Sequence, residues 1–287
     1  MRSLSTEQKG WLMQKEISPS SLEKQLLSPL AARKMAMDLY PDLFYDEDCV
    51  ELLERMDFEV APPVTLQQKI GAIMAATREY DMAEICRKYI LSHPEACVVN
   101  MGCGLDTTFN QVDNGSILWY NIDFPEVIAV RNRLLPPKDR EINIACDLHD
   151  LSWFDDIYFN RRDGAVFFGS GVFHYFTREK AKVLFCGMAK RFPGGKLAFD
   201  STSYKGIKRM LFPYLRPGDR RKARDFFFVQ SEGVLRDWTR NFALVKRKGL
   251  MTGYRKLDER YGMIPNLMLR MGDMKKMSQI IEIDFRR

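Results

Sequence analysis

The chain has 287 residues, 46% of them hydrophobic, which is enough apolar material for a full core and excludes global disorder; length alone allows one large domain or one domain with an added cap. Its 44 basic and 38 acidic residues leave a formal net charge of +6, a modest excess with both signs abundant, as on a solvated surface. No stretch reaches the roughly eighteen apolar residues of a membrane span, and the N-terminal MRSLSTEQKGWLMQKEIS lacks the continuous apolar run of a signal peptide, so a cytoplasmic protein with no membrane partner is expected.

From Ser20 to about Leu91 the apolar residues recur at helical spacing, as in Ile70, Ile73, Met74, Thr77, Ile85, Cys86, Tyr89 and Ile90. Thr65 suits the N-cap of that long helix and His93-Pro94 its stop. From Ala96 to Ser201 short apolar runs alternate with helical segments in the order of βαβ units. Strands are expected at Cys97 to Met101, Ile117 to Ile122, Ile142 to Ala145, Ala165 to Phe168 and Lys196 to Asp200, with helices starting near Pro125 and Thr177. This is the pattern of a parallel sheet with right-handed crossovers. Beyond Ser201 come a charged, aromatic-rich stretch, LFPYLRPGDRRKARDFFFVQ, read as a helical insertion, and an amphipathic helix around Val234 to Lys246. The closing QIIEIDF, Gln279 to Phe285, alternates at period two and reads as a terminal strand.

The densest basic stretches, Arg216 to Arg224 and Lys246 to Lys248, come with no nucleic-acid module or aromatic-basic repeat, so no nucleic-acid partner is expected. The six cysteines, at 49, 86, 97, 103, 146 and 186, form no CxxC pair and have no His at ligand spacing; free thiols and no metal are expected.

The decisive segment is VVNMGCGLDT, Val98 to Thr107, an apolar strand running into Gly102-Cys103-Gly104. Glycines there allow a tight turn and a close backbone approach to a ligand. Roughly 20 residues downstream, Asp123 ends the second strand, where an acidic side chain can accept both hydroxyls of a ribose; with Pro125 close behind, it also suits a helix N-cap. A dinucleotide site needs a third glycine, and Thr107 stands in its place. Asp106 places an acidic residue where pyrophosphate would be repelled and an amino group with a sulfonium tolerated. These features point to S-adenosylmethionine and away from a nicotinamide dinucleotide. Asp147 follows the third strand beside Leu148; it suits an adenine amine, with the leucine over the ring, and equally an ordinary turn.

At these residues the chain resembles the leucine carboxyl methyltransferase family, in particular a bacterial branch similar to the tetracenomycin-type polyketide O-methyltransferases. The motifs that carry it are LLSPLAAR, YPDLFYDEDCVELLERMDFE, ATREYD, VVNMGCGLDTTF, WYNIDFPEVIAVR, DLSWFDD, GSGVFHYF and RFPGGKLAFD, spanning about Leu26 to Ser201. The resemblance implies an α/β, Rossmann-like class I methyltransferase fold: a seven-stranded, mostly parallel sheet with helices on both faces. It also implies an N-terminal helical cap over residues 1–92 and a methyltransferase core over residues 93–287, with an insertion at about 203–230 after the fifth strand. By position it implies S-adenosylmethionine as cofactor, Arg78 on its carboxylate, and Gly102, Cys103 and Gly104 along its backbone. Asp123 falls on the ribose, Asp147 and Leu148 at the adenine, and Ser170 and Gly171 among the cofactor-binding residues. Many relatives carry an acidic residue in the motif that here reads Gly169-Ser170-Gly171; serine offers a hydrogen bond there without a charge.

Methyl transfer from a sulfonium requires alignment, exclusion of water and an oxygen lone pair. A carboxylate acceptor is already ionised near neutral pH, whereas a phenol or alcohol benefits from a base. His174 is the candidate base and Tyr175 a candidate catalytic or pocket-wall residue; a hydrogen-bonded or solvent-facing role suits His174 as well. Phe226-Phe227-Phe228, with Tyr214 and Met210, suits an apolar lid or a buried helix face. The expected activity is O-methylation of a carboxylate or hydroxyl on a small molecule; methylation of a protein C-terminus and cofactor binding without turnover are the alternatives, and the oligomeric state is not legible.

Overall fold

The structure, a computed structural model, describes residues 21–211 and 226–287. The basic stretch from Arg216 to Arg224, Tyr214 and the middle of the expected insertion lie outside the described residues. Among the described residues three helices precede the sheet: α1 (Ser21–Leu39), α2 (Glu47–Arg55) and α3 (Leu66–Ser92). Thr65 caps α3 through a reciprocal box, its hydroxyl accepting from the Gln68 N–H while the Gln68 side chain accepts from the Thr65 N–H, and His93 ends the helix.

The sheet then builds as β1 (Cys97–Met101), α4 (Thr108–Val112), β2 (Leu118–Asp123), α5 (Pro125–Leu134), β3 (Glu141–Ala145), β4 (Ala165–Gly169), α6 (Arg178–Arg191), β5 (Lys196–Ser201) and α7 (Tyr204–Leu211). It closes with α8 (Glu232–Arg236), β6 (Phe242–Gly249), α9 (Met263–Met274) and β7 (Gln279–Phe285). The seven strands lie in the order β3-β2-β1-β4-β5-β7-β6, parallel through β5, with β7 antiparallel to both of its neighbours. Successive residues of each strand face opposite sides. Val98, Val166 and Ala198 pack against α1, α2 and α3, while Val99, Phe167 and Leu197 pack against α6 on the other face. Chain order reverses between β1 and β4, which opens a crevice at the carboxyl ends of these strands. No helix among the described residues is long and apolar enough to cross a membrane.

Two expectations need correction. The amphipathic helix read at Val234 to Lys246 is the short α8 followed by β6. A register shift between Phe242 and Leu244 breaks the period of two, so the buried residues of β6 are Phe242 and Val245, three apart, which imitates helical spacing. The basic residues 246 to 248 lie on this edge strand, where charge opposes edge-to-edge pairing. The terminal strand expected at Gln279 to Phe285 is present as β7, and it is paired on both sides. Glu282 is accordingly buried, accepting from Tyr254 Oη at 3.1 Å and paired with Lys196 Nζ at 3.2 Å. Second, Phe226 to Phe228 run extended, with Phe226 bridging Thr177 and the Phe227 N–H donating to Phe176 O at 2.7 Å. Phe227 enters the core against Phe185, Phe199 and Trp238, so this triplet is neither a helix face nor part of the cavity wall described below.

Asp81 ties α3 to the turn after β6. It is fully buried and accepts from the N–H groups of Tyr254 at 3.3 Å and Arg255 at 2.8 Å. Burial pushes its carboxyl up to about 6 despite those bonds. A carboxyl raised in the native state stabilises the fold fully below its unfolded value and loses that contribution as pH rises through the folded value. The stability difference between wild type and Asp81→Asn, measured by urea unfolding, should therefore shift by up to about 3 kcal/mol in the variant's favour between pH 4 and 7. A difference that stays flat over that range would show the burial argument to be wrong.

Candidate active site

A cavity of about 580 Å³ lies in the crevice at the reversal of strand order, beneath Leu26, Pro29 and Leu30 of α1. Its floor is the turn after β1. Gly102 and Gly104 take φ of +64° and +47°, the left-handed region that favours glycine. A Cβ on Gly102 would stand 2.5 Å from Val172 Cγ2, so the β1 and β4 loops meet there only because the side chain is absent. The N–H groups of Gly102 and Cys103 both donate to Ile122 O, at 2.7 and 3.1 Å, clamping the turn to the end of β2. Cys103 is buried beneath it, and burial pushes its thiol well up.

Asp123, at the tip of β2, borders the same cavity. Its Oδ2 accepts from the Gly104 N–H at 2.8 Å and its Oδ1 from the Phe124 N–H at 2.8 Å. It does not cap α5, whose N-cap is Phe124 with no side-chain bond. Each carboxylate oxygen thus makes one backbone bond and keeps a further lone pair for a ligand hydroxyl. Burial raises its pKa.

On the opposite wall Arg78, from α3, pairs with Asp200 Oδ2 at 3.3 Å. Its Nε is buried without a hydrogen-bond partner among the described residues. Asp200 in turn accepts from the Gly171 N–H at 2.6 Å, which holds the Ser170-Gly171 bend against the guanidinium; a Cβ on Gly171, where φ is +76°, would lie 3.5 Å from Arg78 Nη1. An unsatisfied, buried guanidinium N–H beside a pocket is the arrangement that receives a carboxylate.

Asp147 and Leu148 enter from the loop after β3. Leu148 is buried, whereas Asp147 is half exposed and its Oδ1 accepts from both the backbone N–H and Nδ1 of His149, at 2.9 and 2.7 Å. It therefore makes a turn and borders the cavity at once. Those bonds, the backbone one first, hold its carboxyl below the ordinary value. His174 stands in a single helical turn after β4 and also borders the cavity. Burial and the Arg78 charge lower its pKa, against the opposing pull of Asp200. Tyr175, 68% exposed, stands at the rim.

Sequence reading missed a buried network behind the glycine turn. Arg33 of α1 pairs with Asp46 Oδ2 at 2.9 Å and Glu79 Oε1 at 3.0 Å, Thr107 donates to Asp46 Oδ2 at 3.0 Å, and Thr108 donates to Glu79. Asp106 accepts from Asn100 Nδ2 at 3.0 Å and the Thr108 N–H at 2.9 Å. Burial works against charge on Glu79, but Arg33, the hydrogen bonds from Asp106 and Thr108, and Arg78 together outweigh it and hold that carboxyl down at about 2. Burial and then the Glu79 charge push Asp106 well above the usual carboxylate range. Asp106, which the sequence places where a pyrophosphate would be repelled, borders the cavity with its carboxyl bonded into this network, where burial and Glu79 work against its charge. Thr107 in place of a third glycine remains, and it anchors the turn to α1. Asp200 was also missed, although its place at the carboxyl end of a strand was a readable signal.

The six cysteines are free thiols, and no group of three or more His, Cys, Asp or Glu among the described residues is arranged to hold a metal ion. In comparisons with known proteins, the chain is 25% identical over 191 residues to the tetracenomycin polyketide synthesis O-methyltransferase TcmP of Streptomyces glaucescens, covering 66% of this chain and 69% of that protein. In fold it is similar to a DUF574 family protein from Streptomyces avermitilis MA-4680, with a TM-score of 0.55 at 10% identity over 88% of this chain and 96% of the other. A candidate methyltransferase from Thermobifida fusca YX superposes with a TM-score of 0.52 at 13% identity over 89% of this chain and 94% of the other. The family model for leucine carboxyl methyltransferase matches residues 26–189, more than half of the chain, and the chain belongs to that family.

Proposed function

We propose that this chain transfers the methyl group of S-adenosylmethionine to a carboxylate or hydroxyl oxygen of a small molecule, in the cytoplasm, with residues 1–92 serving as a helical cap. The observation that carries the reading is one cavity that joins a left-handed glycine turn, the Asp123 carboxylate and the unpartnered Nε of Arg78. Its volume lies within the range of roughly 300–1,000 Å³ usual for small-molecule sites. The polyketide O-methyltransferase activity named for the Streptomyces glaucescens relative supports a small acceptor over a protein one.

When bound, the cofactor supplies a methyl group on a positively charged sulfur. The chain's own residues bind and align it. Arg78 grips the amino-acid carboxylate, Asp123 accepts from the ribose, the bare turn at Gly102 and Gly104 admits the backbone of the ligand, and Leu148 covers the base. The α1 helix excludes water from above. His174, held largely unprotonated at neutral pH by burial and Arg78, takes the proton when the acceptor is a hydroxyl; a carboxylate acceptor does not use it.

The test is incubation of the purified protein with S-adenosylmethionine labelled on the methyl carbon and a panel of phenols, alcohols and carboxylic acids, followed by mass analysis. The expected product carries one labelled methyl on oxygen. Stoichiometric binding of the cofactor with no label moved to any acceptor class would favour a binding protein without turnover.

A further inference from the structure

The loop after β3 carries a feature that the proposed function leaves unused. His149 borders the main cavity, its ring lies against Phe176 with centroids 4.4 Å apart, and its Nε2 is buried with no hydrogen-bond partner among the described residues. The other ring nitrogen settles which atom carries the proton. Nδ1 lies 2.7 Å from Asp147 Oδ1, and an ionised carboxylate only accepts, so in the neutral ring the hydrogen is on Nδ1 and Nε2 presents a bare lone pair. The imidazole is therefore fixed at two points, by Asp147 and by Phe176, while a buried acceptor on it goes unsatisfied. A buried acceptor without a donor is costly, and native structures rarely leave one without a ligand or water to meet it.

We propose that His149 reads the base of the cofactor: its Nε2 accepts an N–H of the exocyclic amine of adenine, beside the Asp147 carboxylate as a second acceptor. Two acceptors suit an amine with two hydrogens and reject a 6-oxo purine, whose carbonyl would set lone pair against lone pair. The inference rests on the proposed cofactor and adds to it the residue that selects an aminopurine. His149 is a binding residue in this assignment and takes no part in methyl transfer.

The experiment is calorimetric titration of the wild-type chain and of His149→Phe with S-adenosylhomocysteine and with its deaminated analogue, S-inosylhomocysteine. Wild type should bind the adenosyl compound about tenfold or more tightly than the inosyl compound, the loss expected from one unmet buried acceptor. In His149→Phe that ratio should fall to within about threefold, chiefly through weaker adenosyl binding. Equal binding of the two compounds by wild type would overturn the inference without any variant being needed, and so would an undiminished ratio in His149→Phe. Failure of wild type to bind either compound is a separate result, which would remove the proposed function and this inference with it.

Discussion

Arg78→Met should weaken S-adenosylhomocysteine binding by about 100-fold, while affinity for 5′-methylthioadenosine, which lacks the amino-acid tail, should move by less than about threefold. The magnitude comes from losing a charge-assisted, two-pronged contact in a partly desolvated wall, where each such bond contributes about 1.5–3 kcal/mol. The selectivity comes from geometry. In the free protein one guanidinium nitrogen is already committed to Asp200, while the buried Nε has no acceptor among the described residues. Met keeps the length and helix preference of the side chain, so α3 should persist. The variant leaves Asp200 without its cation, but that carboxylate keeps its bond from Gly171, and any loosening of the Ser170-Gly171 bend would weaken both ligands alike. Calorimetry with the two compounds thus separates the assignments. Parallel losses would make Arg78 a scaffold residue, and no loss would remove it from the site.

Much of the candidate site is legible in the sequence, for a physical reason: the features proposed to hold the nucleoside are local. A glycine turn after an apolar strand, and an acidic residue at the end of the next strand, lie within one βαβ unit, and their spacing is set by strand and helix length. Asp147 and Leu148 follow the next strand by the same rule. Arg78 is different. On its own helix it sits beside Glu79 and near Asp81 and reads as a surface ion-pair residue; only family resemblance singled it out, and its partner Asp200 lies 122 residues away. The buried network was illegible for that same reason, since Arg33, Asp46, Glu79 and Thr107 come from four separate segments. Asp106 shows the cost of reasoning from residue type alone. Its charge was an argument only while its environment was unknown, and burial beside Glu79 works against that charge. The β6 strand was lost through its bulge, which gave a strand the spacing of a helix.

Asp123→Ala should weaken binding of S-adenosylhomocysteine and 5′-methylthioadenosine together, by roughly 10- to 100-fold, because both carry the ribose. That joint loss sets it apart from Arg78→Met. The range reflects two opposing parts. Removing the carboxylate deletes an acceptor for two hydroxyls, but it also frees the Gly104 and Phe124 N–H groups that now donate to it, and water meets those groups in the variant. The turn itself should hold, since Gly102 and Cys103 still donate to Ile122 O, and the circular dichroism spectrum should match wild type. Acidification supplies an independent check. Burial raises the Asp123 pKa, so as pH falls the carboxylate protonates at milder acidity than an exposed one, and wild-type affinity should begin to decline at a higher pH than an exposed carboxylate would give. Asp123→Asn, which cannot titrate, should lose that decline at position 123 while keeping one acceptor. Affinity unchanged in Asp123→Ala, or an acid limb identical in Asp123→Asn and wild type, would move the ribose elsewhere and leave the glycine turn without the carboxylate that gives it meaning.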